Sequence, residues 1–130
     1  MIYPPVFAVC NASAAVKAEL GDPARVYPFG EAEGAHGGPP PKPYAVWQVI
    51  TGAPENYLDQ VPDADQWGLQ LYVYADTAFA AREAAKALRN AIEPVAHVTA
   101  WRGESRDQQT RNYRCSFDVD WIGDRELTSN

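Results

Sequence analysis

The sequence has few of the residues that usually carry enzyme chemistry or covalent cross-links. Its 130 residues include two cysteines, two histidines and one methionine. Cys10 and Cys115 are far apart and each lies in an apolar context. This placement predicts two small buried hydrophobic residues, not a disulfide framework or a metal site. No run of about 18 apolar residues is present, so no membrane-spanning helix is predicted, and the N-terminus lacks the features of a secretory signal.

Positive charge is also scarce. Seventeen acidic residues against eleven basic ones give a formal net charge of −6. This balance argues against a duplex-binding protein, whose affinity depends on neutralising phosphates. The length fits one domain that can build a core without metals or disulfides. We therefore expect a small, soluble, intracellular, acidic domain.

Catalytic and metal-binding motifs are missing from the sequence. The GxSxG, HExxH and CxxC patterns and the phosphate-binding glycine loop with its lysine do not occur. His36 lies in a Gly/Pro-rich stretch, and His97 is interpreted as a structural residue on a strand. Asp118 and Asp120 share one strand face, about 7 Å apart, which suits acid–base chemistry or a cation, but a solvated face is the favoured interpretation. We predict no catalytic, cofactor-binding or metal residues, no cofactor, and no enzyme.

The hydrophobic patterns predict an α+β fold. Apolar spacing predicts short helical turns within the first 20 residues and a long helix from Asp76 or Thr77 to about Glu93. Alternation and β-branched or aromatic residues predict strands at 25–29, 44–51, 67–75, 95–101 and 113–122. The last strand alternates most strictly, which favours an antiparallel sheet with one wet face. We predict an antiparallel four- to five-stranded sheet with two helical segments packed on one face, and a hairpin formed by the last two strands.

Two segments lie outside this regular pattern. Residues 30–43 contain eight Gly or Pro residues in fourteen positions, so they are predicted to form a loop, either a solvated linker or an arm that orders against another subunit. Residues 123–130 lack periodicity and are predicted to be a flexible C-terminal tail. The domain is therefore placed at residues 1–122.

Charge is distributed unevenly along the chain. Residues 55–65 form an acidic segment without a basic residue, and four arginines form a basic hairpin around the last two strands. The acidic segment contains Glu55, Asp59, Asp63 and Asp65, and the basic hairpin contains Arg102, Arg106, Arg111 and Arg114. Tyr72 and Tyr74 share the wet sheet face, which a partner would cover.

Seven short stretches together resemble one family. They are YPFG (27–30), PYAVWQ (43–48), APENYL (53–58), QLYVYAD (70–76), ALRNAIEP (87–94), ESRD (104–107) and YRCSFDVDW (113–121). In order and spacing these stretches resemble the tail-completion, or tail-terminator, proteins of long-tailed (siphovirus-type) bacteriophages and prophages. The resemblance extends from Pro4 to about Ile122 and implies an α+β sheet covered by helices.

The resemblance also implies a function. The protein would be a virion structural protein that forms a ring, of six copies, on the head-proximal end of the tail tube. The ring would end tube polymerisation and join the tail to the head. The implied partners are further copies of the chain, the tail tube protein and a head–tail connector or stopper protein, with no membrane and with DNA only as cargo. The implied location is the virion, after assembly in the host cytoplasm.

A ring requires one surface patch to meet a different patch on the next subunit. We expect the acidic segment to meet the basic hairpin, with Tyr57, Tyr72 and Trp101 as buried aromatic anchors. The alternatives are another neck subunit, such as a stopper or head-completion protein, and a small ligand-binding domain or enzyme that uses the aromatic sheet face. A domain that forms no oligomer is the remaining possibility.

Overall fold

The computed structural model describes residues 4–32, 40–54 and 64–124. These residues form three helices and five strands. In chain order the elements are α1 (Val6–Asn11), α2 (Ala14–Leu20), β1 (Val26–Pro28), β2 (Tyr44–Pro54), β3 (Ala64–Ala75), α3 (Ala78–Ile92), β4 (His97–Arg106) and β5 (Tyr113–Asp124). The α+β class is as predicted.

The five strands form one mixed sheet with the order β1-β2-β3-β5-β4. All neighbouring pairs are antiparallel except β1 and β2, which are parallel. The prediction of a purely antiparallel sheet is therefore wrong at this edge. Residues 29–43 separate β1 from β2, and such a connection is long enough to return the chain for parallel pairing.

The helices of the described residues cover one face of the sheet, as predicted: α1 and α2 are the helical turns predicted within the first 20 residues, and α3 is the predicted long helix. Ser13 separates α1 from α2 because its backbone is extended and its side chain accepts a hydrogen bond from the Val16 N–H. The two short helices and α3 pack together over the sheet. No helix in the described part of the chain is long and apolar enough to cross a membrane.

The core lies between α3 and the central strands. Four alanines of α3 are buried, so their small side chains let the helix lie close to the sheet. Leu88 and Ile92 complete the stripe, as the apolar spacing predicts. The facing strand positions are buried as well: they are Leu69, Leu71, Val73, Cys115, Phe117 and Val119. Cys10 and Cys115 are both buried free thiols, which confirms the prediction made for them, and burial raises the pKa of Cys10 to about 12.

Candidate subunit interface

The face of the sheet opposite the helices carries a cluster of tyrosines. Because β2 and β3 alternate, Tyr44, Tyr72 and Tyr74 lie on the face opposite the core residues Ala45 and Val73. The rings of Tyr44 and Tyr74 stack with their centroids 5.2 Å apart, and Tyr72 lies 6.4 Å from Tyr74. Tyr44 is buried in this stack, while Tyr72 and Tyr74 are half-buried and leave part of their rings on the open face.

Polar side chains continue the open face beyond the tyrosines. Gln70 Oε1 accepts hydrogen bonds from Gln48 Nε2 at 3.3 Å and from the Tyr72 hydroxyl at 2.5 Å. Asp118, only 5% exposed, pairs with Arg102, whose Nε donates to Asp118 Oδ2 at 2.7 Å. This contact raises the pKa of Arg102. One oxygen of Asp118 is therefore paired within the chain, while its buried Oδ1 has no hydrogen-bond partner among the described residues.

The bulge in β4 explains how Arg102 reaches Asp118. Trp101 pairs with Phe117 and Gly103 pairs with Ser116, so Arg102 is an extra residue between two regular pairs. A bulge of this kind redirects the side chain of the inserted residue. Gly103 follows with a φ of +113°, a conformation that glycine adopts readily.

The four arginines of the basic hairpin do not share one environment. Arg102 pairs with Asp118 and Arg114 lies over the Tyr72 ring at 5.2 Å, so both extend over the open face. Arg106 lies over the Tyr113 ring at 5.2 Å. Arg111 is exposed and has a φ of +62° in the turn between β4 and β5. Within the described residues, Arg106, Arg111 and Arg114 form no ion pair. Arg114 nevertheless lies near Asp107, whose pKa is lowered mainly by backbone hydrogen bonds and also by the charge of Arg114.

The predicted aromatic anchors are separated by the sheet. Tyr72 lies on the open face, whereas Trp101 packs on Phe117 at 5.2 Å and under Arg89 at 5.8 Å, on the helix side. Trp101 remains 51% exposed. Glu55, Tyr57, Asp59 and Asp63 lie outside the described residues, and only the backbone of Asp65 is described, within β3.

The helix side carries an ion pair that the sequence did not indicate. Arg82 of α3 holds Glu104 of β4 with two hydrogen bonds of 2.6 and 2.8 Å. These bonds lower the pKa of Glu104 below its usual range. Burial and the neighbouring Glu104 raise the pKa of the Cys115 thiol. The two partners are 22 residues apart, so no local spacing rule could pair them.

Among the described residues, Lys42, Arg82 and Arg102 pair with carboxylates, while exposed aromatic rings and arginines without an ion pair remain on the surface. No group of three or more potential metal ligands occurs in the described ranges.

Comparison with known proteins gives the family. Residues 4–124 match the model of the family described as tail completion protein gp17, so the chain belongs to this family of phage structural tail proteins. A chain in a solved structure titled "Virion of native gene transfer agent (GTA) particle" has a similar fold, with a TM-score of 0.56. The similarity covers 90% of both chains at 16% identity, and it supports the fold. A search of the curated proteins finds no match.

Proposed function

We propose that this protein caps the head-proximal end of the phage tail tube as a ring, ends tube polymerisation and forms the joint to the head. The observation that carries this proposal is the family match, which extends over residues 4–124. On this proposal the role is structural and needs no catalytic residue, metal or cofactor.

The distribution of charge supports a head-to-tail contact between copies. The acidic segment joins the paired ends of β2 and β3, where Pro54 lies opposite Asp65. The turn of the basic hairpin lies at the other end of the sheet, where Ala75 pairs with Tyr113. The length of β3 separates these two ends by roughly 35 Å. On this proposal the two ends carry opposite charge, so they can serve as the two different patches that meet in a heterologous ring contact.

The proposed contact joins the acidic segment of one copy to Arg106, Arg111 and Arg114 of the next. The same ring, of six copies, would bind the tail tube protein on one side and a connector or stopper protein on the other. DNA would pass through the lumen as cargo, and an acidic wall would not retain its phosphates. The protein would act in the virion after assembly in the host cytoplasm.

The proposal is tested by mixing the purified chain with isolated tail tubes and, separately, with tail-less heads, followed by electron microscopy. We expect a ring on one end of each tube and none on the heads. Rings on heads alone would instead identify a stopper or head-completion subunit and contradict the proposal.

Reversal of two arginine charges tests the proposed contact between the acidic segment and the basic hairpin. Arg106→Glu together with Arg111→Glu should abolish ring formation because like charges would then face each other. Both side chains are exposed, so the thermal unfolding of the variant should match that of the wild type. Unchanged assembly of this double variant would show that the basic hairpin does not form the contact.

A further inference from the structure

Phe29 is an exposed aromatic residue at the tip of a tight turn. The turn follows β1 and closes with a hydrogen bond of 3.1 Å from the Glu31 N–H to the Pro28 carbonyl. Gly30 has a φ of +76°, as the third residue of a type II turn requires. Phe29 is 69% exposed. The type II turn therefore fixes the backbone that carries this exposed ring.

A small cavity lies at the opposite edge of the sheet, between the start of α3 and the β4–β5 hairpin. Its volume is about 220 Å³, below the several hundred Å³ of typical small-molecule sites, so it suits a single large side chain. Its walls include Ala78, Ala81, Tyr113 and Cys115, and its polar rim is formed by Glu104, which is paired with Arg82, and by Ser105, Arg106 and Arg114.

The turn and the cavity cannot meet within one chain. β1 and β4 are the two edges of the five-stranded sheet, and four strand spacings separate them by about 19 Å. A chain with a projecting group on one edge and a cavity on the other can bind a second copy head to tail. That is the heterologous contact from which closed rings are built.

We infer that Phe29 of one copy inserts into this cavity on the next copy, with Glu31 placed against Arg106. Glu31 is exposed on the same turn, and Arg106 has no carboxylate partner among the described residues. Opposite charge beside an apolar anchor sets the orientation of the contact. This inference rests on the proposed ring and names its aromatic anchor.

Phe79 is more exposed than Phe29, at 74%, but it does not fit this role. It lies on α3 between the cavity residues Ala78 and Ala81. If Phe79 of each copy inserted into the cavity of the other, both copies would therefore use the same surface patch. Such an isologous contact closes at a dimer and does not propagate around a ring. Phe29 follows β1, on the edge of the sheet opposite the cavity, so it can take part in a contact between two different patches.

The inference is tested by sedimentation velocity of the full chain over a concentration series, alone and with isolated tail tubes. Phe29→Ala and Ala78→Trp should each weaken assembly roughly tenfold or more, because one removes the anchor and the other fills the cavity. Phe7→Ala removes another exposed phenylalanine, from α1, and should leave assembly unchanged. Thermal unfolding of each variant checks that it is folded.

A charge exchange gives a second, independent readout. Glu31→Arg and Arg106→Glu should each weaken assembly, and the two changes together should restore part of it, because the Glu31–Arg106 pair is reversed while the acidic segment still faces residue 106. Wild-type rings with unchanged assembly of Phe29→Ala and Ala78→Trp would overturn this contact and leave the ring proposal standing. Failure of the double exchange to restore assembly would overturn the Glu31–Arg106 pairing. A wild-type chain that forms no ring on tail tubes would overturn both proposals.

Discussion

At the scale of single residues, the side chain of Glu104 connects the helix layer to the edge of the sheet. It accepts two hydrogen bonds from Arg82 and lies 3.8 Å from the Cys115 sulfur. Hydrogen bonding to Arg82 is the main reason why the pKa of Glu104 is lowered. The folded state thus favours the carboxylate form and binds fewer protons than the unfolded chain in mildly acidic solution.

This shift predicts an acid-sensitive contribution to stability. The contribution is fully present above the ordinary glutamate pKa of about 4.5 and is lost as the pH falls through the lowered folded value. Glu104→Gln should therefore reduce stability at neutral pH and flatten its decline below pH about 4.5. Urea unfolding at a series of pH values measures both effects.

Arg82→Gln is the matched control, since it removes the same contact from the other side. The double variant should lose little more than either single variant. Part of the acid sensitivity should remain, because hydrogen bonds from the Gln109 and Thr110 N–H groups also lower the pKa of Asp107. If the stability losses of the two single variants added fully in the double variant, the assigned pairing of Arg82 with Glu104 would be contradicted.

At the scale of elements, α3 shows how much of the fold was predictable. The sequence predicted its buried alanines and its end near Glu93, because helix periodicity and helix termination are local properties. The sequence did not decide whether Asp76 or Thr77 caps the N-terminus of the helix, and in the structure the cap is Thr77. Its Oγ1 accepts from the Ala80 N–H at 3.0 Å, whereas Asp76 accepts from Lys42.

This cap predicts a measurable stability loss. Thr77→Ala should lower the free energy of unfolding by about 1 kcal/mol, because the Ala80 N–H would lose its acceptor. Thr77→Ser retains the hydroxyl and should remain close to the wild type. Chemical denaturation gives both values, and equal losses in the two variants would contradict the capping role.

The strands were harder to delimit than the helix. The sequence pattern ends the fourth strand at Trp101, but β4 continues to Arg106. Residues beyond Trp101 are polar and exposed, and backbone pairing with β5 holds them in the strand. The parallel pairing of β1 was also unpredictable because it depends on the path of the long connection between β1 and β2. Local patterns therefore gave the elements but not the complete sheet order.

At the scale of the whole molecule, the placement of the predicted interface residues depends on long-range pairing. The acidic segment and the basic hairpin were visible in the sequence as charges. That Pro54 and Asp65 lie at one end of the sheet, and the turn of the basic hairpin at the other, follows only from the pairing of β2, β3 and β5. The separation of Tyr72 from Trp101 by the sheet likewise needed the fold, and the assignment of these residues to a subunit interface stays a prediction.

The central claim is that this chain ends the growth of the tail tube. It is tested most directly by electron microscopy of tails assembled in infected or induced cells with and without this protein. The account predicts tails of uniform length when the protein is present, and overlong tails without attached heads when it is absent. Tails of normal length in its absence would contradict the account.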